Sequence, residues 1–162
     1  MNKDLDKVNS DLILNSTRLL ILLSKYETKK SFKMNINKIM LLDFYMKFPK
    51  TMISNEVIIK KKYDFNEYYS FYHWQPDRDL YNFFLRYLLS KRLIEKKIIK
   101  NDFIYFITRK GIETILSLKS DYSNQLHIIA NYVKKNVSIL SDEKIEETII
   151  KKSFSEELIY DK

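Results

Sequence analysis

The stretch Leu88 to Leu116, LLSKRLIEKKIIKNDFIYFITRKGIETIL, constrains the fold more than any other part of the chain. An apolar helix runs out at Ser90-Lys91-Arg92, and LIEKKII then suits a strand. Lys100-Asn101-Asp102 offers a turn, because Asn and Asp tolerate the left-handed backbone that tight hairpins require. Phe103 to Ile107 is the return strand. Thr108 then caps a helix carrying Ile112, Ile115 and Leu116. Gly111 is the only glycine in 162 residues, and with Thr108 as N-cap it falls at N3. The first turn lacks the full intrahelical ladder, so a glycine costs little there. Its missing Cβ lets the helix start press against the hairpin or the first helix. Thr108 and Gly111 are therefore expected to be structural residues.

The rest of the chain reads as helices around that hairpin. Asn15-Ser16 offers an N-cap for a first helix to about Tyr26, apolar nearly all round and expected to be central. Asn35 caps a second, carrying Ile36, Ile39, Met40, Asp43, Phe44 and Met46 and ending before Pro49. Between Pro49 and Pro76 the pattern breaks: Lys60-Lys61-Lys62 precedes seven aromatics among the twelve residues Tyr63 to Trp74. Asp77 or Asp79 starts a third helix, LYNFFLRYLLSK. After the hairpin and the helix capped by Thr108, a fifth helix begins near Asp121 and a sixth at Ser141-Asp142-Glu143, whose acidic first turn suits the helix dipole. The tail beyond about Ser153 is expected to fray.

Composition removes most enzymatic chemistry. Without Cys there is no disulfide or thiolate metal site, and the two histidines, His73 and His127, lie far apart. Gly-rich phosphate loops need several glycines. The expectation is a non-catalytic protein with no cofactor or metal. His73 reads as a packing or interface residue and His127 as a core or boundary residue. The start MNKDLDKVNSDLILNS lacks the features of a signal peptide, and no apolar run approaches membrane-spanning length, so a cytoplasmic protein with no membrane partner is expected. Net charge is +8, which suits a polyanion partner or reflects a lysine-rich composition.

Two helices, a third, a β-hairpin straight after it and a capping helix is the order of a winged helix-turn-helix. The expected fold class is thus mainly α with a small β-hairpin: a winged helix-turn-helix followed by C-terminal helices. Residues 1–14 form an N-terminal extension, 15–118 the winged-helix domain with the Lys and aromatic insert at about 50–76, 119–153 a C-terminal helical extension, and 154–162 a tail. The segments LNSTRLLILLSKY, INKIMLLDFYM, this third helix with its wing, and HIIANYVKKNVSILSDEKIEETIIKK together resemble the middle component of bacterial three-component ABC systems, the Lamassu-type defence complexes. The resemblance covers roughly Leu12 to Lys152 and departs at Ile53 to Trp74, where a shorter loop richer in Gly and Pro is expected. It implies an accessory subunit joining an SMC-like ATPase to an effector, commonly a nuclease.

The third helix bears on whether this is a reader of DNA or an adaptor. A reading helix exposes polar groups to base edges and phosphates, yet Leu80, Tyr81, Phe83, Phe84, Leu85, Tyr87, Leu88 and Leu89 wrap most of its circumference. Such a helix is buried on more than one side, by the chain's own C-terminal helices or by a partner. Tyr81, Leu85 and Leu89, with the aromatic anchors Tyr72 and Trp74, are the candidate protein-interface residues. Arg86, Lys91, Arg92, Lys96, Lys97 and Lys100 are the candidate contacts to phosphates of double-stranded DNA, without sequence reading. From Arg86 to Lys110 the chain carries a local excess of six positive charges. The expected function is a non-catalytic adaptor that docks on the ATPase and helps hold or regulate the nuclease. The alternative is a homodimeric winged-helix transcriptional repressor that binds DNA.

Overall fold

In the computed structural model, which describes residues 2–29, 31–53, 67, 70 and 74–160, the elements in chain order are α1 (Asn2–Ser24), α2 (Ile36–Lys47), α3 (Pro49–Met52), α4 (Arg78–Ser90), β1 (Ile94–Ile99), β2 (Asp102–Ile107), α5 (Arg109–Ser117), α6 (Asp121–Tyr132) and α7 (Asp142–Tyr160). A π-helical turn, Val133–Val137, extends α6. The architecture is mainly helical with one two-stranded antiparallel sheet among the described residues. The lysine run Lys60 to Lys62, most of the following aromatics, Tyr72 and His73 lie outside the described residues.

Helix α1 is the axis of the core. Leu19 to Leu23 are all buried, and α2, α4, α5, α6 and β2 pack around it. The helix begins at Asn2, well before the expected Ser16. Leu5, Val8 and Leu12, at i, i+3 and i+7, carry the helical pattern upstream. Asn15 therefore does not cap: its Nδ2 donates to the Asp11 carbonyl at 2.7 Å inside the helix, and Ser16 is buried.

The other helix starts follow local chemistry. The Asn35 side chain accepts from Lys38 N, that of Asp77 from Asp79 N and Leu80 N, and that of Ser120 from Ser123 N. Each satisfies donors that the first turn leaves without partners. Pro49 stops α2 and opens α3, where Pro is tolerated because the N–H it lacks has no intrahelical acceptor. Buried Glu67 accepts from Lys50 N at 3.0 Å and Thr51 N at 3.1 Å, placing a carboxylate at the α3 N-terminus. Helix α7 continues past Ser153 to Tyr160, beyond the expected fraying point. It is fastened to the bundle by the Lys38–Asp142 ion pair and by Lys152 Nζ donating to the Met52 carbonyl at 2.6 Å.

Helix α4 ends in a left-handed residue. Arg92 has φ 58°, Leu93 N donates to Leu88 O at 3.0 Å, and Arg92 N donates to Leu89 O at 2.9 Å. This is the Schellman pattern, in which glycine is the usual occupant. The hairpin then pairs Ile94 with Ile107 at its root and Ile99 with Asp102 at its tip. Lys100 and Asn101, φ 50° and 64°, form the two-residue turn that matches strand twist. The α1–α2 connector lies along β2, with Tyr105 N donating to Met34 O at 3.0 Å and Asn35 Nδ2 to Asp102 Oδ2 at 2.7 Å.

Candidate functional site

The surface of interest is built on α4 and the hairpin that follows it. Inward, α4 presents Tyr81, Phe84, Leu85 and Leu88, all buried. Tyr81 and Leu85, expected at a protein interface, lie in the chain's own core, where α4 packs on α1 and α2. The Tyr81 hydroxyl donates to Asp43 Oδ2 at 2.5 Å, and burial followed by the Asp43 charge pushes its pKa well above the ordinary phenol value. Tyr81 is thus a neutral donor inside the core. Leu89 is half-buried and packs against the same core, as does Trp74. Tyr72 lies outside the described residues.

Outward, α4 is apolar where no partner is present. Leu80 is 45% and Phe83 49% exposed, and Tyr87, one turn past Phe83, is half-buried with the Lys91 ammonium 5.7 Å from its ring. Leu80, Phe83 and Tyr87 follow one another at i, i+3 and i+7, so they share a side of the helix. Exposed Arg86 stands beside them. The sequence marked α4 as apolar all round; the structure divides that circumference into the chain's own core and an open stripe.

All six candidate phosphate-contacting residues, Arg86, Lys91, Arg92, Lys96, Lys97 and Lys100, are exposed. Several are partly engaged. Lys97 pairs with Glu95 at 3.0 Å, the Lys96 ammonium sits 4.6 Å from the Phe103 ring centre, and that of Lys97 sits 5.3 Å from Phe106. Exposed contacts of this kind are weak and exchange readily for a better anion. Burial raises the Tyr105 pKa while the charges of Arg78 and Arg86 oppose the rise.

Thr108 and Gly111 fix the hairpin to the bundle. The Thr108 hydroxyl accepts from Gly111 N at 3.1 Å and lies 2.8 Å from the Arg92 carbonyl, while Thr108 N donates to Leu93 O at 3.0 Å. A Cβ on Gly111 would lie 2.2 Å from Leu93 O and 2.7 Å from Ile107 Cγ1. The glycine therefore serves close approach, and its φ is not positive.

Other features were not anticipated. A groove of about 1010 Å³ opens between α1, the α2–α3 junction and α6, lined by Asn15, Arg18, Lys47, Phe48, Tyr122 and Ile128 among others. The N-terminal turns of α1 expose Leu5 and Val8; their helical spacing was the signal that would have revealed them. Half-buried His127 meets Lys25, Nδ1 to Nζ at 2.9 Å. Among the described residues no group of three or more His, Cys, Asp or Glu side chains is placed to hold a metal ion, and no helix is long and apolar enough to cross a membrane.

Compared with known families, residues 8–158 match the one described as ABC-three component (ABC-3C) system Middle Component 2. No curated protein and no solved structure matches the chain.

Proposed function

The chain belongs to the ABC-three component system Middle Component 2 family, and from that premise we propose that it is a winged-helix adaptor that docks on an SMC-like ATPase and helps hold or regulate an effector nuclease, as in Lamassu-type defence. A middle component has protein partners, and an accessory subunit needs area to bind them. The observation that carries the reading is the outward stripe of α4, with Leu80 45% and Phe83 49% exposed. In a winged helix that reads DNA, this is the face that would present polar groups to base edges. Here it presents apolar area suited to the centre of a protein interface. The cations of the hairpin then serve as auxiliary, sequence-independent contacts to double-stranded DNA held by the complex.

The test is co-expression of the chain with the other two components of its system, followed by purification through a tag on the ATPase. The wild-type chain is expected to co-purify, and Phe83→Asp to be lost from the complex while keeping its thermal unfolding temperature. Retention of Phe83→Asp at wild-type levels would remove α4 from the interface. A sequence-specific footprint of the isolated chain at physiological salt would replace the adaptor with the homodimeric repressor.

A further inference from the structure

The tip of the hairpin carries an apolar pair that the fold does not use. Ile98 and Phe103 face each other across the strands and are 69% and 50% exposed. On the same face of the ribbon, nearer the root, Ile94, Tyr105 and Ile107 are buried. The apolar stripe therefore continues past the body of the protein into solvent. Cations surround its free end: Lys96 lies over the Phe103 ring at 4.6 Å, and Lys100 occupies the turn. The turn itself is stiff, since Lys100 and Asn101 are both left-handed in the two-residue geometry that fixes strand register. Glycine would hold the Lys100 backbone at lower cost, yet this turn carries a cation at its tip.

We infer that this tip is a wedge for duplex DNA: Phe103 and Ile98 enter the minor groove and part a base step, while Lys96 and Lys100 bond to the flanking phosphates. The inference rests on the auxiliary DNA contact proposed above and gives it a mode. Apolar side chains pushed between base steps unstack them and bend the duplex, which then meets more of the protein surface. Lys96 leaves the Phe103 ring for a phosphate, exchanging a weak exposed contact for a charge-assisted one, and so uncovers the ring face that meets the base. The cation layout favours a long polyanion over a membrane. Strands of six residues at ~3.3 Å per residue make a ribbon about 20 Å long, with Arg92, Arg109 and Lys110 at its root. A tip dipped into lipid headgroups would leave those root cations beyond the ~8–10 Å over which salt screens charge. A bent duplex reaches both ends.

The experiment uses the full chain and a random-sequence duplex with a donor and acceptor at its ends and 2-aminopurine at internal steps, at low salt. Binding is expected to bring the ends together and to raise 2-aminopurine fluorescence. The double variant Ile98→Ser/Phe103→Ser alters only exposed side chains. It should unfold at the wild-type temperature and still bind, but lose both signals. Lys96→Gln/Lys100→Gln should lower the slope of log K against log salt by about 2. Wild-type binding without bending, or bending that survives Ile98→Ser/Phe103→Ser, overturns the wedge and leaves simple phosphate contact standing. No duplex binding at any salt overturns the wedge and the DNA contact together. Binding to phosphatidylserine vesicles that Ile98→Ser/Phe103→Ser abolishes, with duplex bending unchanged, assigns the tip to a membrane and overturns the inference.

Discussion

Arg18 of α1 and Asp43 of α2 meet in a two-pronged pair, Nε to Oδ1 at 2.7 Å and Nη2 to Oδ2 at 2.9 Å, and Tyr81 of α4 donates to the same carboxylate. Burial alone would lower the Arg18 pKa, but Asp43 outweighs it and the guanidinium lies above its ordinary value. Three helices are thereby tied at one fully buried carboxylate. Asp43→Ala leaves Arg18 charged and without its partner in the core, and is expected to lower the free energy of unfolding by about 3–5 kcal/mol. Urea denaturation measures it. Arg18→Met/Asp43→Leu/Tyr81→Phe should recover most of that loss, because apolar replacements dispense with the desolvation of both charges and leave no buried hydroxyl without an acceptor.

Gly111→Ala places a Cβ 2.2 Å from a backbone oxygen, so the α5 start or β1 has to move. The expected loss is about 1–3 kcal/mol, read as a lower thermal midpoint. Thr108→Val removes the side-chain cap without changing shape and should cost about 1 kcal/mol. An alanine variant as stable as wild type would show that the packing at this point is loose.

Arg92→Gly is expected to raise stability by about 1 kcal/mol, because its φ of 58° carries a penalty for any residue with a Cβ. The same variant loses a cation at the hairpin root and should bind duplex DNA less tightly at low salt. Chemical denaturation and a salt titration of binding check the two halves separately. A variant with no gain in stability would mean that the Arg92 side chain makes up locally for its backbone.

Burial of His127, reinforced by the neighbouring Lys25, is expected to make stability fall with acid. Burial and then the Lys25 charge lower the His127 pKa below its ordinary 6.5, so as pH drops through 6.5 the unfolded chain takes up a proton that the folded chain does not. The unfolded state binds more protons, and stability declines as pH falls from 6.5 toward the depressed folded value. The thermal midpoint of the wild type should drop across that interval. His127→Gln should flatten the profile, and an unchanged slope in that variant would place the acid sensitivity elsewhere.

Local chemistry made much of this fold legible. The caps at Asn35, Asp77 and Thr108, the Lys100-Asn101 turn and both strands follow from side chains within a few residues of each boundary. The start of α1 was obscured because Asn15-Ser16 has cap chemistry, yet a cap forms only where no helix precedes it, and Leu5, Val8 and Leu12 supply one. The division of α4 was not legible: apolar spacing shows that a helix is covered on several sides but not which cover is the chain itself. Tyr81 and Leu85 fell on one side of that division and Phe83 on the other. The Arg18–Asp43 pair left only a faint trace, a charge set against an apolar run in each of two helices that carry other charges as well, with nothing local to join them.

The Leu93 carbonyl accepts from Thr108 N at 3.0 Å and lies against the bare Cα of Gly111, so the chain entering the hairpin and the chain leaving it are clamped at one point. Both roots of the ribbon thus share one attachment with the start of α5, which packs on α1, so any shift of the hairpin has to be accommodated at that clamp.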